Sequence, residues 1–272
     1  MSDCAPIHPP ELARSVAGRS SLHRSVQPSR PKALDLYCCA GGAAMGLHRA
    51  GYDVTGVDIK PQPRYPFRFI LGDALAQDLS GYDLVWASPP CQAHTSMKTM
   101  HNAKKHPDLI PATRAKLEAW GGLWIMENVV GAPLRNPVML CGTMFGLGCE
   151  DAELRRHRLF ECSFAVLAPE CRHGQRVATM GVYGGHLRNR KRARTIGIYG
   201  EGVRDSVRKM DKGVEDFDVN QGREAMDIHW MTLAELCQAI PPAYSEFLAS
   251  QAMRVLARLN TSMRLEERSA AE

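Results

Sequence analysis

The stretch ALDLYCCAGGAAMGLHRAG, residues 33–51, decides the fold. Residues 33–37 predict a short buried strand, and Gly41-Gly42 interrupts the apolar run that follows. Residues 43–50 then predict a helix closed by Gly51, since glycine readily adopts the left-handed conformation in which many helices end. A strand, a glycine turn and a helix start favour an α/β fold whose turn presents helix N-terminal amides to a ligand.

The same alternation continues along the chain. Apolar runs predict further strands at residues 53–57, 68–71, 83–87 and 123–126, and a helix at 113–120. Strands alternating with helices indicate an open, mostly parallel sheet with helices on both faces. We therefore predict a Rossmann-like α/β fold, in which ligands bind beyond the carboxyl ends of the strands.

Changes in amino-acid composition and hydrophobic spacing divide the chain into five parts. Residues 1–31 hold prolines and scattered arginines and predict a flexible tail, whereas residues 32–164 form the main ligand-binding domain. Residues 165–228 are rich in Gly, Arg and Asp and predict a small irregular region. Helical spacing of apolar residues returns over 229–258, and the polar stretch 259–272 predicts a second tail.

Composition favours a cytoplasmic globular protein. The 272 residues are 44% hydrophobic and 23% charged, which is ordinary for a folded domain. No stretch approaches the roughly 20 apolar residues of a membrane span, so no membrane association is expected. The N-terminus lacks the apolar core of a secretory signal, so the nine cysteines predict free thiols in a reducing compartment. We expect a monomer.

Acidic residues occur on three of the predicted strands. Asp35 lies in the first strand, Asp58 ends the second, and Asp73 follows the third. A carboxylate at the end of the second strand is placed to bind a ribose hydroxyl pair. A carboxylate after the third strand can accept a hydrogen bond from an adenine amino group. Together the three residues predict a cofactor that contains a nucleoside.

The most informative segment is Ser88-Pro89-Pro90-Cys91-Gln92, directly after the fourth strand. The two prolines stiffen the turn and remove backbone donors, so Cys91 is held at the edge of the sheet. A rigid loop after a buried strand is a poor place to hide a structural cysteine, and we predict that Cys91 is a nucleophile. Glu127 ends the neighbouring strand, and Arg156 and Arg158 precede another, so all three are expected in the same cleft.

These segments resemble the cytosine-5 DNA methyltransferase family. The resemblance covers residues 32–160 and the helix after Met231, roughly three fifths of the chain. Its most specific part is the pair PPCQ, residues 89–92, and ENV, residues 127–129. Arg156 and Arg158 match the arginines of the family's Gln-x-Arg-x-Arg motif. QAIPPAY, residues 238–244, looks like the segment that returns to the cofactor-binding turn in compact, often phage-borne, members.

The sequence departs from the family pattern at two positions. Cys39 stands where the glycine turn usually has Gly, so Gly41 and Gly42 must make the turn. Leu154 stands where the arginine motif usually has Gln. Neither change touches the expected nucleophile, so both bear on rate and cofactor affinity more than on reaction class.

The resemblance implies methyl transfer from S-adenosylmethionine to carbon 5 of a cytosine flipped out of duplex DNA. Cys91 would add to carbon 6 of the ring, and Glu127, Arg156 and Arg158 would be the other catalytic residues. Contacts with the cofactor are expected from Asp35, Tyr37, Gly41, Gly42, Asp58, Ile59, Asp73, Ala74 and Pro89.

Positive charge is clustered between residues 172 and 194, which contain seven Arg or Lys and no Asp or Glu. Such clustering is what contact with phosphates requires. In the family this part of the chain corresponds to the target-recognition region. Contacts with double-stranded DNA are expected from Gln92, Ser96, Arg188, Arg190, Lys191, Arg192 and Arg194.

Other functions remain open from the sequence. The enzyme alternative is cytosine methylation of RNA or of a free nucleotide, and the non-enzyme alternative is a catalytically inactive DNA-binding relative. A nicotinamide-dependent oxidoreductase would leave the Pro-Pro-Cys loop without a role and lacks its full glycine fingerprint here. Cys162, Cys171 and His173 show no Cys-x-x-Cys pair and no clear fourth ligand, so no metal site is predicted.

Overall fold

The computed structural model describes residues 29–94, 106–150, 152–173, 178–182, 195–198 and 218–270. The strands in these ranges are β1 (Lys32–Leu36), β2 (Asp53–Asp58), β3 (Arg68–Leu71), β4 (Leu84–Ala87), β5 (Leu123–Asn128), β6 (Val138–Leu140), β7 (Gly148–Cys149), β8 (Ala152–Leu154), β9 (Arg158–Cys162), β10 (Ala178–Val182) and β11 (Thr195–Ile198). The α-helices are α1 (Gly42–Arg49), α2 (Ile110–Trp120), α3 (Val219–Met226), α4 (Leu233–Gln238) and α5 (Pro242–Ala270), and Gly142–Phe145 forms a 3₁₀ helix.

A seven-stranded sheet with the order β3-β2-β1-β4-β5-β9-β6 forms the centre of the molecule. Its first five strands are parallel, whereas β9 pairs antiparallel with both β5 and β6. The predicted Rossmann-like fold is confirmed. The order reverses beside β1, and the carboxyl ends of β1, β2, β4 and β5 therefore meet at one edge of the sheet.

Both faces of the sheet are covered, so the central strands are buried on both sides. In β1, Ala33 packs in the cluster shared with α1 and α5, whereas Leu34 and Leu36 pack in the cluster beneath α2. Successive side chains of a strand point to opposite faces. This double burial explains why the strands appear in the sequence as nearly continuous apolar runs.

A buried ion pair attaches α2 to the antiparallel part of the sheet. The Arg114 guanidinium donates to both carboxylate oxygens of Glu161, at 2.8 and 2.7 Å, and to the Pro133 carbonyl at 2.8 Å. Glu161 also accepts from the Arg135 amide at 2.8 Å. Each charge thus has several partners, which offsets the cost of removing the pair from water.

A second sheet has the order β11-β10-β8-β7. The region 165–228, expected to be irregular, contains two of its strands and helix α3. The helix is capped by Asp218, whose carboxylate accepts from the amides of Asn220 and Gln221. Met180 of β10 is buried with Met226 of α3, so this sheet has a small core of its own. Strands of only four or five residues gave the sequence too little periodicity to reveal it.

The chain ends beyond the sheet differ from the predicted tails where the structure describes them. Arg30, placed in the first tail, donates to the carbonyls of Gly51 at 2.9 Å and His48 at 2.8 Å; residues 1–28 lie outside the described part. Residues 259–270, placed in the second tail, continue α5 as an exposed helix, because they are rich in Leu, Arg and Glu, which favour helices. Within the described ranges, no helix has both the length and the apolar character needed to cross a membrane.

The contact between α1 and α5 depends on a glycine. A Cβ atom at Gly46 would lie 2.1 Å from the Pro242 carbonyl oxygen, 2.1 Å from Ser245 Oγ and 2.6 Å from the Glu246 amide nitrogen. Two of these three are backbone atoms, which cannot rotate away. The close approach lets the Ser245 hydroxyl donate to the Ala43 carbonyl at 2.8 Å.

We expect Gly46→Ala to destabilise the protein by at least about 2 kcal/mol, because overpacking against backbone exceeds the gain of about 1 kcal/mol in helix propensity. Urea denaturation of purified protein measures the change. Gly72→Ala is the matched control, since its Cβ would meet only Ile70, at 3.9 Å. A Gly46→Ala protein as stable as the wild type would refute the close packing of α1 on α5.

Candidate active site

The turn between β1 and α1 adopts an unusual backbone conformation. Tyr37, Cys39 and Gly41 have φ values of 60°, 45° and 84°, in the left-handed region that non-glycine residues avoid. Cys39 therefore takes a conformation that a glycine would favour, so a cysteine at this position adds backbone strain. Strain of this kind is concentrated at functional sites.

Neighbouring segments hold the turn in place. The Cys39 amide donates to the Asp58 carboxylate at 3.0 Å, and the Tyr37 hydroxyl lies 2.9 Å from Thr113 Oγ1. A Cβ at Gly41 would lie 2.8 Å from Pro66 Cδ, and one at Gly42 would lie 2.4 Å from the Ile240 carbonyl oxygen. The missing side chains of both glycines thus make room for the protein's own atoms, and the predicted contact of the turn with a cofactor stays a prediction.

The edge beyond β1, β2 and β3 exposes several of the expected cofactor residues. Asp58 is half-buried, and its other oxygen accepts from the Lys60 amide at 2.9 Å. Beside it Ile59 is 73% exposed, which is unusual for a large apolar side chain. Asp73 is exposed, whereas Ala74 and Pro89 are buried. Carboxylates beside uncovered apolar surface suit a ligand that carries both hydroxyls and a flat ring.

Helix α1 points its N-terminus at the same edge. Its N-cap residue, Gly41, has no side chain to cap the first turn, although the Ala44 amide interacts with the buried Asp35 carboxyl group. Unpaired amides at a helix start favour an anionic group such as a carboxylate.

Asp35 is placed differently from the other predicted cofactor residues. Its side chain is 1% exposed, and neither oxygen makes a hydrogen bond of good geometry within the described structure. Burial, together with the nearby Asp58, raises the pKa of Asp35 well above its usual range. Asp35 therefore lies behind the turn as a buried carboxyl group and presents no surface for direct contact with a ligand.

The Pro-Pro-Cys loop is attached to the strands on both sides of it. The Ser88 amide donates to the Leu36 carbonyl of β1 at 3.1 Å, and the Asn128 side chain donates from β5 to the Pro89 carbonyl at 2.9 Å. Trp86 Nε1 donates to Ser88 Oγ at 2.9 Å. These bonds fix the loop that carries the half-buried Cys91.

Glu127 and Arg158 form a pair beside this loop. Parallel pairing of β4 with β5 puts Glu127 next to the loop, and antiparallel pairing of β5 with β9 brings Arg158 to it. Arg158 Nε lies 3.2 Å from Glu127 Oε1, and their side chains are 14% and 8% exposed. Burial raises the pKa of Glu127, although Arg158 opposes the shift. The carboxyl group therefore holds a proton to a higher pH than an exposed glutamate does.

The Cys91 thiol responds to both members of this pair. Its pKa is raised, first by burial and then by the negative charge of Glu127, while Arg158 and Arg156 act in the opposite direction. In the free protein the two arginines thus lower the pKa of Cys91 by less than burial and the Glu127 carboxylate raise it. When Glu127 takes a proton, its repulsion of the thiolate disappears, so the ionisation of Cys91 and the protonation of Glu127 favour each other.

The structure separates the two arginines of the motif. Arg158 reaches Glu127, whereas Arg156 is 1% exposed and donates to the carbonyls of Cys237 at 2.9 Å and Ala239 at 2.8 Å. The Tyr244 hydroxyl in turn donates to the Arg156 carbonyl at 2.6 Å. Arg156, predicted to be catalytic, therefore joins the C-terminal segment to the sheet. Sequence reasoning missed the part of Tyr244, although the QAIPPAY motif contains it.

Most of the predicted DNA contacts cannot be placed. Gln92 is exposed beside Cys91. Ser96, Arg188, Arg190, Lys191, Arg192 and Arg194 lie outside the described residues.

Comparison with solved structures bears on the fold. A protein described as a DNA modification methyltransferase encoded within a prophage of E. coli shares 12% identity over 84% of this chain and 99% of its own, with a TM-score of 0.52. The S. pombe Dnmt2 methyltransferase shares 15% identity over the same fractions, with a TM-score of 0.53. This chain has a methyltransferase fold. No protein-family sequence model matches it, and no curated protein is similar enough in sequence to serve as a relative.

A cluster of two cysteines and two histidines contains four possible metal ligands, a set that the sequence did not reveal. Cys171 and His173 do not group with Cys162, which packs against the core from β9. They meet Cys141 and His157, and one ligand atom from each of the four lies within 4.8 Å of the other three. Two of the four ligands, Cys141 and His157, were missed because the cluster comes from three separate segments of the chain.

We expect the rate of Cys91 alkylation to report the charges around it. At a pH below the pKa of Cys91, Glu127→Gln should raise the alkylation rate by up to about tenfold, because it removes a negative charge. Arg158→Gln should lower the rate by a similar factor. Iodoacetamide labelling of the free protein, followed by peptide mass spectrometry, measures both. Glu118→Gln, on exposed α2 surface, is the control. Equal rates in all four proteins would show that the Glu127–Arg158 pair does not act on Cys91.

Proposed function

We propose that this protein is a DNA (cytosine-5) methyltransferase that uses S-adenosylmethionine and forms a covalent adduct through Cys91. The observation that carries the proposal is the placement of a half-buried thiol on a proline loop beside the Glu127–Arg158 pair. The methyltransferase fold and the resemblance of PPCQ and ENV to the family support it.

The edge beyond β1 and β2 fits the cofactor. Asp58 would accept from the ribose hydroxyls, Ile59 and Tyr37 would lie against the adenine ring, and the uncapped start of α1 would hold the carboxylate end. Asp73 would accept from the adenine amino group. When bound, S-adenosylmethionine supplies the methyl group as an electrophile on a positively charged sulfur.

Carbon 5 of cytosine is a weak nucleophile, and the side chains of the cleft would activate it. Cys91, as the thiolate, bonds to carbon 6, and the electrons of the carbon 5–carbon 6 double bond make carbon 5 reactive. After methylation at carbon 5, a base removes the carbon 5 proton. The electrons of that C–H bond restore the double bond, and Cys91 leaves as the thiolate.

Glu127 and Arg158 would stabilise the ring during this addition. The raised pKa of Glu127 suits it to donate a proton to, or share one with, ring N3, while Arg158 holds the O2 edge as charge develops. A protonated Glu127 no longer repels the Cys91 thiolate. By sharing a proton with Glu127, the bound cytosine would therefore favour ionisation of Cys91, the group that attacks it. The cytosine must be flipped from the duplex to reach the cleft.

We expect Asp58→Ala to weaken S-adenosylmethionine binding by at least about tenfold, because a buried ribose hydroxyl pair would lose its acceptor. Asp53→Ala is a matched control at the other end of the same strand, where the carboxylate pairs with Arg68. Isothermal titration of the two variants measures the difference. Equal affinity in the two variants would refute the proposal that the cofactor binds at this edge.

We expect Cys91→Ser to lower methyl transfer at least about a thousandfold, since the adduct cannot form, while leaving DNA binding largely intact. Labelled cofactor offered with duplex DNA and with tRNA measures transfer, and bisulfite sequencing of DNA from expressing cells gives the recognition site. Cys162→Ser, on β9, should retain activity.

Duplexes that contain 5-fluorodeoxycytidine should trap a covalent complex at residue 91. An active Cys91→Ser enzyme would refute the mechanism. Transfer to tRNA alone would refute the choice of DNA.

A further inference from the structure

We propose that Cys141, His157, Cys171 and His173 bind one Zn²⁺ ion in a tetrahedral structural site. The proposal stands apart from methyl transfer, since none of the four residues takes part in the chemistry of the cleft. It rests on the geometry of the cluster, on the chemistry of its ligands and on the segments that it joins.

Two of the three close distances in the cluster match those around a single ion, and the third is shorter by about half an ångström. His173 Nε2 lies 3.4 Å from Cys141 Sγ and 2.8 Å from Cys171 Sγ, and His157 Nε2 lies 3.4 Å from Cys171 Sγ. A tetrahedral zinc with Zn–S of about 2.3 Å and Zn–N of about 2.0 Å would separate its ligand atoms by about 3.3–3.8 Å. Only small movements of side chains are needed to close the shell.

The ligand set selects zinc among common metals. Two thiolates and two imidazoles are the Cys₂His₂ set of structural zinc sites, whereas magnesium and calcium prefer oxygen ligands. Four protein ligands leave no open position for a substrate or water, so the ion would be structural. Binding displaces one proton from each thiol to solvent.

A nearby hydroxyl group supports the thiolates. Thr143 Oγ1 donates to Cys141 Sγ at 3.4 Å and lies 3.8 Å from Cys171 Sγ. Groups that donate to metal ligands hold them in place and are a regular part of such sites.

The site would join the segment that holds Cys171 and His173 to the ends of β6 and β9, which already pair with each other at Leu140 and Arg158. Cys141 follows β6, His157 immediately precedes β9, and Cys171 and His173 lie on the segment that leads towards β10. The ion would therefore link the segment before β10, a strand of the second sheet, to the central sheet. It would also fix the backbone beside Arg158, whose side chain reaches Glu127.

Metal analysis of the full-length wild-type protein, purified under reducing conditions, tests the site directly. We expect about one zinc per chain by mass spectrometry. After removal of the zinc, titration with Co²⁺ should give the visible absorption of a tetrahedral ion and a sulfur-to-cobalt charge-transfer band. This measurement needs no variant and does not depend on catalytic activity.

Variants then identify the ligands. Cys171→Ser and His173→Ala, on a partly exposed segment, should each weaken Co²⁺ binding more than about 100-fold. Cys162→Ser and Cys91→Ser are matched controls that should bind as the wild type does. Failure of the reduced wild-type protein to bind Co²⁺, a Cys141–Cys171 disulfide in its place, or full binding by the Cys171→Ser/His173→Ala double variant would overturn the proposal.

Discussion

The hydrogen bond from the Asn128 side chain to the Pro89 carbonyl is the constraint on which the cleft depends. It joins the ends of two neighbouring parallel strands, β4 and β5, which carry the two central residues of the proposed chemistry, Cys91 and Glu127. A proline loop has few backbone donors of its own, so its position must be set from outside. Asn128 is fully buried and supplies that connection, which keeps Cys91 beside Glu127.

The cleft is organised around opposed electrostatic effects. Burial raises the pKa of both Cys91 and Glu127, and the negative charge of Glu127 raises that of Cys91 further. Arg158 moderates both effects from β9. Such an arrangement keeps the thiol largely neutral in the free protein and couples its activation to a proton on the neighbouring carboxyl group. In the proposed mechanism, a partner that keeps Glu127 protonated would therefore favour formation of the thiolate.

The sequence revealed those parts of the structure that depend on local pattern. Strands β1, β2, β4 and β5 were predictable because burial on both faces leaves apolar runs, whereas β3 is an exposed edge strand that its apolar residues alone revealed. Cys91 and Glu127 were placed because they lie at the carboxyl ends of two of the buried strands. The separation of Arg156 from Arg158 was not predictable, since it depends on the C-terminal carbonyls of Cys237 and Ala239. The Cys₂His₂ cluster was missed for the same reason, because tertiary folding alone brings its three segments together.

The packing of α5 on α1 has a consequence for synthesis of the chain. The Ser245 hydroxyl bonds to the Ala43 carbonyl, and the Ile240 carbonyl fills the space above Gly42, so the glycine turn is completed by residues that the ribosome adds some 200 positions later. Contacts of such high sequence separation form late in folding. A nascent polypeptide would thus emerge with its first βα unit unfinished, and premature termination before residue 240 would yield a product whose turn lacks both of these contacts.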